Sequence, residues 1–128
     1  MVLLRHELPG GLWHFDWMLA RRPVGEGRVG GPLLTFRVDQ HPDDPSAGVF
    51  DAERLPDHRA VYLTYEGDVS GGRGRVVREA SGSCEIVEEC EASIRIRGCF
   101  GATGAVRLWA GSRLGDGRWR FERTTTIA

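Results

Sequence analysis

Apolar and polar residues alternate along several short runs of this chain, a pattern typical of β-strands with one buried face. Residues 93–97 read Ser-Ile-Arg-Ile-Arg and residues 118–122 read Arg-Trp-Arg-Phe-Glu, so both place arginine on the solvent side. Helical spacing is nearly absent. Strands are predicted over residues 2–8, 12–21, 32–38, 60–66, 73–78, 84–87, 93–97, 105–110 and 118–125. A turn of helix is predicted at residues 50–54, within a long loop spanning residues 40–56.

The spacing of the turns indicates how these strands are arranged. Glycine occurs 18 times and recurs between the apolar runs, which indicates many turns. Many short antiparallel strands leave exposed edges unless the sheet closes on itself. The sequence therefore predicts an all-β fold, a closed or nearly closed antiparallel β-barrel with little helix. We expect residues 1–128 to form one domain.

The second predicted strand has two faces of different character. One face carries Trp13, Phe15 and Trp17, and the other carries His14, Asp16 and Met18. We expect the aromatic face to be buried in the core. An imidazole and a carboxylate at positions i and i+2 of a strand form half of a metal site.

A third candidate ligand, His6, lies just upstream of a Pro-Gly-Gly sequence that predicts a hairpin turn. If the loop consists of residues 9–11, His6 falls opposite His14, with Cβ atoms roughly 5 Å apart. A shorter loop of Gly10 and Gly11 would instead put His6 opposite Phe15. The register of the turn therefore decides whether His6 joins the site.

The stretch Asp57-His58-Arg59-Ala60-Val61-Tyr62 leads into the strand predicted at residues 60–66. His58 and Tyr62 are four residues apart, so on an extended strand their side chains point to the same face. On that strand, Tyr62, Thr64 and Glu66 share one face, and Val61, Leu63 and Tyr65 face the core. A plain half-buried strand with a solvated polar face is the alternative. His41, in a Gln-His-Pro-Asp-Asp loop, is predicted to be solvated.

Composition excludes several classes of function. The odd set of Cys84, Cys90 and Cys99 contains no Cys-x-x-Cys pair, which argues against a disulfide framework or zinc knuckle and favours a reducing cytoplasm. No apolar run approaches the ~20 residues of a membrane span, and the charged start lacks a secretory pattern. All 17 basic residues are arginine, but the net charge of −1 excludes a non-specific nucleic-acid coat. Any nucleic-acid contact is therefore expected to be local.

Together these motifs resemble the 3′-phosphoesterase module at the N-terminus of bacterial DNA ligase D, the end-joining ligase, and its short free-standing relatives. The family has a His, a short turn and a Leu-His-Tyr-Asp-x-Arg-Leu strand; here His6 is followed by Trp-His-Phe-Asp-Trp-Met-Leu at residues 13–19. Its Leu-x-Ser/Thr-Trp-x-Val strand matches residues 33–38, and its Asp-His-Pro-x-x-Tyr-x-x-Phe-Glu-Gly motif matches residues 57–67. A Gly-rich turn at residues 71–74 and a terminal strand with Trp119 follow in the same order.

The resemblance implies a manganese-dependent repair enzyme that removes phosphate or a ribonucleotide from DNA 3′ ends. It implies that His6, His14 and Asp16 bind Mn²⁺, for which other divalent transition metals could substitute. His58 would contact the scissile phosphate, and Tyr62 would hold a phosphate oxygen or orient His58. We expect a cytoplasmic monomer whose partners are nucleic-acid 3′ ends, with no membrane contact.

The chain departs from the family pattern at Met18, where the family has an arginine aimed at the phosphate. Losing such a contact could cost about 10²- to 10³-fold in rate, by analogy with an oxyanion donor. Arg5, Arg73 and Arg75 are the candidates to replace it as phosphate-binding residues.

Two other functions compete with the phosphoesterase. A non-catalytic barrel that keeps the metal site and recognises nucleic-acid ends or a protein partner is favoured by Met18. An Fe(II) oxygenase is suggested by His14, Asp16 and His58, which mimic a 2-His-1-carboxylate triad. The short chain and the absence of a recognisable co-substrate arginine motif argue against the oxygenase.

Overall fold

The structure is a computed structural model that describes residues 1–22, 31–101 and 104–125. Within these residues the strands are β1 (Val2–Glu7), β2 (Trp13–Leu19), β3 (Leu33–Val38), β4 (Val49–His58), β5 (Gly67–Asp68), β6 (Arg75–Glu89), β7 (Ser93–Phe100), β8 (Arg107–Gly115) and β9 (Arg118–Thr125). A 3-10 turn, Ala60–Leu63, lies between β4 and β5.

The strand pairs are antiparallel, and their hydrogen bonds form a closed ring. The order around the ring is β1-β2-β3-β4-β9-β8-β7-β6, and β6 pairs back with β1. The 15-residue β6 closes the ring because residues 75–81 pair with β1 and residues 82–89 pair with β7. The predicted all-β, antiparallel fold is confirmed.

The main core lies on one face of this sheet and is dominated by aromatic side chains. Trp17 makes edge-to-face contacts with Trp109 and Phe121, at centroid distances of 5.2 and 5.5 Å. All three rings are completely buried, which makes them large contributors to the hydrophobic stabilisation of the fold.

A second, smaller cluster lies on the opposite face of β1 and β2. It consists of Val2, Leu4, Met18, Leu33 and Val76, with Tyr62, Leu63, Tyr65 and Val69 packed against it. The segment that follows β4 therefore covers the outside of the hairpin. As a result β2 is buried on both faces, and even His14 and Asp16 are only 7% and 3% exposed.

The strand predicted at residues 60–66 is wrong. The amide of Tyr62 bonds to the carbonyl of Arg59, and that of Thr64 to the carbonyl of Val61, which are the i to i+3 contacts of a 3-10 turn. The turn folds the chain across the second cluster instead of extending β4. Consequently Val61 is 47% exposed, although the alternation predicted it in the core.

Two further expectations are corrected by the sheet. The helical turn predicted at residues 50–54 lies inside β4, because Phe50 and Ala52 alternate inward while β3 and β9 pair on either side. Trp13, predicted to be buried, is 43% exposed. The pairing between β2 and β3 begins only at Phe15, so Trp13 has β1 beside it on one side and no neighbouring β3 residue on the other.

Two features bear on the environment of the chain. All three cysteines are free. Among the residues that the structure describes, no helix has the length and apolar character needed to cross a membrane.

Candidate metal centre

The β1–β2 hairpin brings two of the candidate ligands face to face. Its loop has three residues, because the amide of Leu8 donates to the carbonyl of Leu12 and His6 pairs with His14. Gly10 and Gly11 take φ values of 96° and 93°, a left-handed conformation that glycine adopts without steric strain. The imidazole centroids are 5.0 Å apart. Of the two registers open from the sequence, the structure has the one that pairs the histidines.

Asp16 completes the group from the same face of β2. Its Oδ2 lies 3.2 Å from His6 Nδ1, and its Oδ1 lies 3.0 Å from His14 Nε2. The three ligand atoms lie within 4.8 Å of one another. Two ligand atoms that are ~2.1 Å from one ion, at right angles to each other, stand about 3.0 Å apart. The spacing therefore suits a single ion.

The hydrogen-bond donors and acceptors of this group also fit a cation. His6 Nε2 lies 2.7 Å from the carbonyl oxygen of Arg73, which can only accept, so this nitrogen carries the hydrogen. On a neutral ring Nδ1 is then bare and faces Asp16 Oδ2, and two acceptors at 3.2 Å repel unless a cation lies between them. Metal-binding histidines characteristically donate their other N–H to a carbonyl in this way.

A buried oxygen without a partner points in the same direction. Among the described residues, Asp16 Oδ1 is buried and has no hydrogen-bond partner. Although His14 Nε2 is 3.0 Å from Asp16 Oδ1, the pair lacks the geometry of a hydrogen bond. Buried polar atoms are seldom left unsatisfied, and each one calls for an explanation such as a bound ion.

Residues distant in sequence meet this group at a cavity of about 80 Å³. The cavity is lined by His6, Asp16, Met18, His58, Tyr62, Val69, Arg73 and Val76. His58 ends β4, and Tyr62 comes from the 3-10 turn; their rings make an edge contact at 5.8 Å. His58 Nδ1 lies 2.8 Å from the carbonyl oxygen of Pro56 and donates to it. Nε2 is therefore the nitrogen of His58 left for a ligand.

The three candidate phosphate-binding arginines occupy different places. Arg73 lines the cavity, and its guanidinium donates to the backbone and side-chain oxygens of Ser70. Arg5 extends to the other face of β1, where its Cζ lies 4.2 Å from the centroid of the Trp13 ring. Arg75 is exposed at the start of β6 and does not line the cavity. The structure thus brings only Arg73 of these three to the candidate site.

The end of β4, just before His58, is anchored by an ion-pair network. The guanidinium of Arg21 donates to both carboxylate oxygens of Glu89 and, at 2.8 Å, to Asp57. Hydrogen bonds to Glu89 and Asp57 raise the pKa of Arg21 above its usual range. The network ties the residue that precedes His58 to β6.

The sequence does not indicate that the carbonyl of Arg73 contacts His6. The contact is made by a backbone atom, which every residue type has. The sequence shows only a glycine-rich turn at residues 71–74. In the structure, a Cβ on Gly74 would lie 1.9 Å from the carbonyl oxygen of Glu7. Glycine at this position therefore permits the close approach of β6 to β1 that places the Arg73 carbonyl beside His6.

No family model matches this chain, and no curated protein matches it either.

Proposed function

We propose that this protein is a metal-dependent phosphoesterase that acts on the 3′ ends of nucleic acids, removing a 3′-phosphate or a 3′-terminal ribonucleotide. One observation carries the proposal: His6 and Asp16 of the ligand group share a small cavity with His58 and Tyr62. A cavity of about 80 Å³ has room for a phosphate-sized group and is too small for a nucleoside.

The ligand group holds the metal in this proposal. His6, His14 and Asp16 offer two imidazole nitrogens and a carboxylate, a mixed donor set that Mn²⁺ accepts. A bound divalent ion supplies positive charge that polarises the phosphoryl group. The Arg73 carbonyl keeps the His6 ring oriented so that Nδ1 points at the site.

His58 and Tyr62 act on the phosphate from the other side of the cavity. The bond from His58 Nδ1 to Pro56 leaves Nε2 to donate a proton to the leaving oxygen or to stabilise charge on the phosphate. The phenol of Tyr62 donates to a phosphate oxygen or holds the His58 ring through their edge contact. Such proton transfer contributes typically ~10²- to 10⁴-fold to a rate.

A non-catalytic module that keeps the metal and binds 3′ ends is the second candidate. Met18 favours it, because a thioether offers no charge to a phosphate. The guanidinium of Arg73 is also engaged with Ser70, so it would have to leave those bonds to reach a substrate.

The closed barrel and the cytoplasmic location predicted from the sequence also belong to this proposal. The ring of pairings through eight strands supports a closed barrel. The three free cysteines support a reducing compartment such as the cytoplasm.

The test is release of phosphate from a 3′-phosphorylated primer annealed to a template, with Mn²⁺ present. We expect the wild-type protein to release phosphate and His58→Ala to lose at least ~10²-fold in rate. His41→Ala is the matched control, because His41 does not line the cavity, and it should retain the wild-type rate. Calorimetric titration with Mn²⁺ should show one site in wild type and in His58→Ala, but none in His14→Ala.

The outcomes separate the two candidates. A wild-type protein that binds Mn²⁺ and the primer but releases neither phosphate nor ribonucleotide would rule out the enzyme and leave the binding module. Mn²⁺ binding that persists in both His14→Ala and Asp16→Ala would disprove the ligand assignment.

A further inference from the structure

A second and larger cavity adjoins the candidate metal centre. Its volume is about 470 Å³, and its walls include Arg59, Val61, Tyr62, Tyr65, Asp68 and Ser70. Tyr62 lines both cavities, so the larger cavity and the cavity of the metal centre border the same side chain. The walls come from the 3-10 turn and from the chain around β5.

The walls of this second cavity suit a flat aromatic ligand. The rings of Tyr62 and Tyr65 stand nearly perpendicular, with an interplanar angle of 88° and centroids 5.9 Å apart. The hydroxyl of Tyr65 donates to the carbonyl oxygen of Asp68, which fixes the orientation of that ring. Val61, 47% exposed, adds an apolar surface. Nucleobases stack on surfaces of this kind, and such stacking is tolerant of base identity.

Polar and charged groups accompany the aromatic walls. The guanidinium carbon of Arg59 lies 6.0 Å from the centroid of the Tyr62 ring, so its charge stands beside the aromatic surface. Arginine there can stack on a base or attract a backbone phosphate, and the side chains of Asp68 and Ser70 can bond to sugar hydroxyls or base edges.

We propose that this cavity binds the terminal nucleoside, the sugar and base that carry the phosphate held at the metal centre. The inference rests on the proposed function, since that function places the phosphate next to Tyr62. A phosphate is joined directly to its sugar, so the nucleoside must lie immediately beside the smaller cavity. The larger cavity shares Tyr62 with the smaller one and has the volume and the stacking walls for a nucleoside.

The first experiment measures nucleoside binding without any phosphate. Deoxythymidine is titrated into the Mn²⁺-loaded protein and followed by calorimetry. Val61→Glu introduces a carboxylate into the cavity, and we expect it to weaken deoxythymidine binding at least tenfold while Mn²⁺ affinity is unchanged. Val87→Glu is the matched control, because Val87 is 41% exposed and lines neither cavity. No deoxythymidine binding by wild type, or equal losses in both variants, would overturn the proposal.

The second experiment compares substrates with and without a nucleoside. We expect Val61→Glu to raise KM at least tenfold for a 3′-phosphorylated oligonucleotide and to leave KM unchanged for methyl phosphate, which carries no ring to occupy the cavity. A lower KM for the oligonucleotide than for thymidine 3′-monophosphate supports a strand end as the occupant, and equal KM values support a free nucleotide. If wild type hydrolyses both substrates and Val61→Glu alters neither KM, the nucleoside cavity is refuted and the phosphoesterase stands. If wild type hydrolyses neither substrate, yet binds deoxythymidine and loses that binding in Val61→Glu, the phosphoesterase is refuted and the nucleoside cavity stands.

Discussion

Met18 touches two different environments with one apolar side chain. It is 1% exposed and belongs to the smaller apolar cluster, with Leu4 and Val76 among its members, and it also lines the cavity beside Asp16. The phosphoesterase pattern proposed from the sequence has arginine at this position. Because the position is enclosed by apolar residues on one side and polar residues on the other, the effects of an arginine on stability and on activity should be opposite.

We expect Met18→Arg to lower the free energy of unfolding by roughly 1–3 kcal/mol, since a longer, charged side chain must fit against a packed cluster. We also expect it to raise the rate of phosphate release, because the guanidinium can reach the cavity. Met18→Leu, which conserves volume, should change neither by much. Chemical denaturation and the phosphate-release assay measure the two effects. A folded Met18→Arg protein with no gain in rate would show that this position does not contact the phosphate.

His41 behaves differently from the solvated residue that its loop predicts. Its ring packs against Phe100 with centroids 4.9 Å apart, and its Nδ1 accepts the amide hydrogen of Asp43. Burial lowers the pKa of His41 from its ordinary value, although the nearby carboxylate of Asp43 opposes this shift. The folded state therefore favours the neutral ring, which alone can accept at Nδ1.

The contribution of this neutral ring to stability should depend on pH. It is fully present above the unfolded-state pKa of about 6.5 and is lost as pH falls through that value towards the lower folded-state pKa. We expect urea denaturation to show a larger loss of stability from about pH 7.5 to about pH 5.5 in wild type than in His41→Gln. Equal losses in the two proteins would contradict the assignment, and an NMR titration of the His41 ring would show the lowered pKa directly.

Among the elements, the contact between β1 and β6 limits side-chain size at the rim of the site. Gly74 has φ of +89°, and a Cβ there would lie 1.9 Å from Glu7 O. Gly72, in the same turn, has φ of +68° but would meet nothing within 4 Å. Both glycines need a positive φ. Only Gly74 also has backbone of another strand where a Cβ would stand.

We expect Gly72→Ala to destabilise the protein by about 1 kcal/mol, through backbone strain alone. Gly74→Ala should cost a further ~1–3 kcal/mol, because β6 must move away from β1. It should also weaken Mn²⁺ binding, since the Arg73 carbonyl that orients His6 moves with the strand. Thermal denaturation and calorimetric titration of both variants provide the measurements. Equal Mn²⁺ affinity in the two variants would show that the carbonyl does not support the site.

The hairpin and the segment after β4 show how far the sequence could predict these elements. The pairing of His6 with His14 was one of two registers that the local spacing allowed, and the three-residue loop of the structure selects it. The sequence did not predict the 3-10 turn at residues 60–63, because these residues have strand propensity. They fold instead across an apolar cluster whose members come from distant strands. For the same reason alternation predicted one buried face for β2 where the structure has two.

For the whole molecule, a bound metal should appear as added stability. A ligand that binds only the folded state at 100 times its Kd adds about 2.7 kcal/mol, which for a domain of this size raises Tm by roughly 10 °C. We expect Mn²⁺ to raise the Tm of wild type and of His58→Ala in this way, and to leave His14→Ala unchanged. Scanning calorimetry over a series of Mn²⁺ concentrations makes the comparison. An equal increase in His14→Ala would place the ion elsewhere.

The ring of strands also has a consequence for the order of folding. His6, His14 and Asp16 sit on one hairpin, and isolated hairpins form within about 1–10 μs. The contact between His6 and Arg73 joins residues 67 positions apart, and such non-local contacts form slowly. The three candidate ligands thus lie within one local hairpin, whereas His58 and Tyr62 reach them only after β3 and β4 have paired beside it. In the proposed function, a partly folded molecule would therefore assemble the metal ligands before His58 and Tyr62 join them.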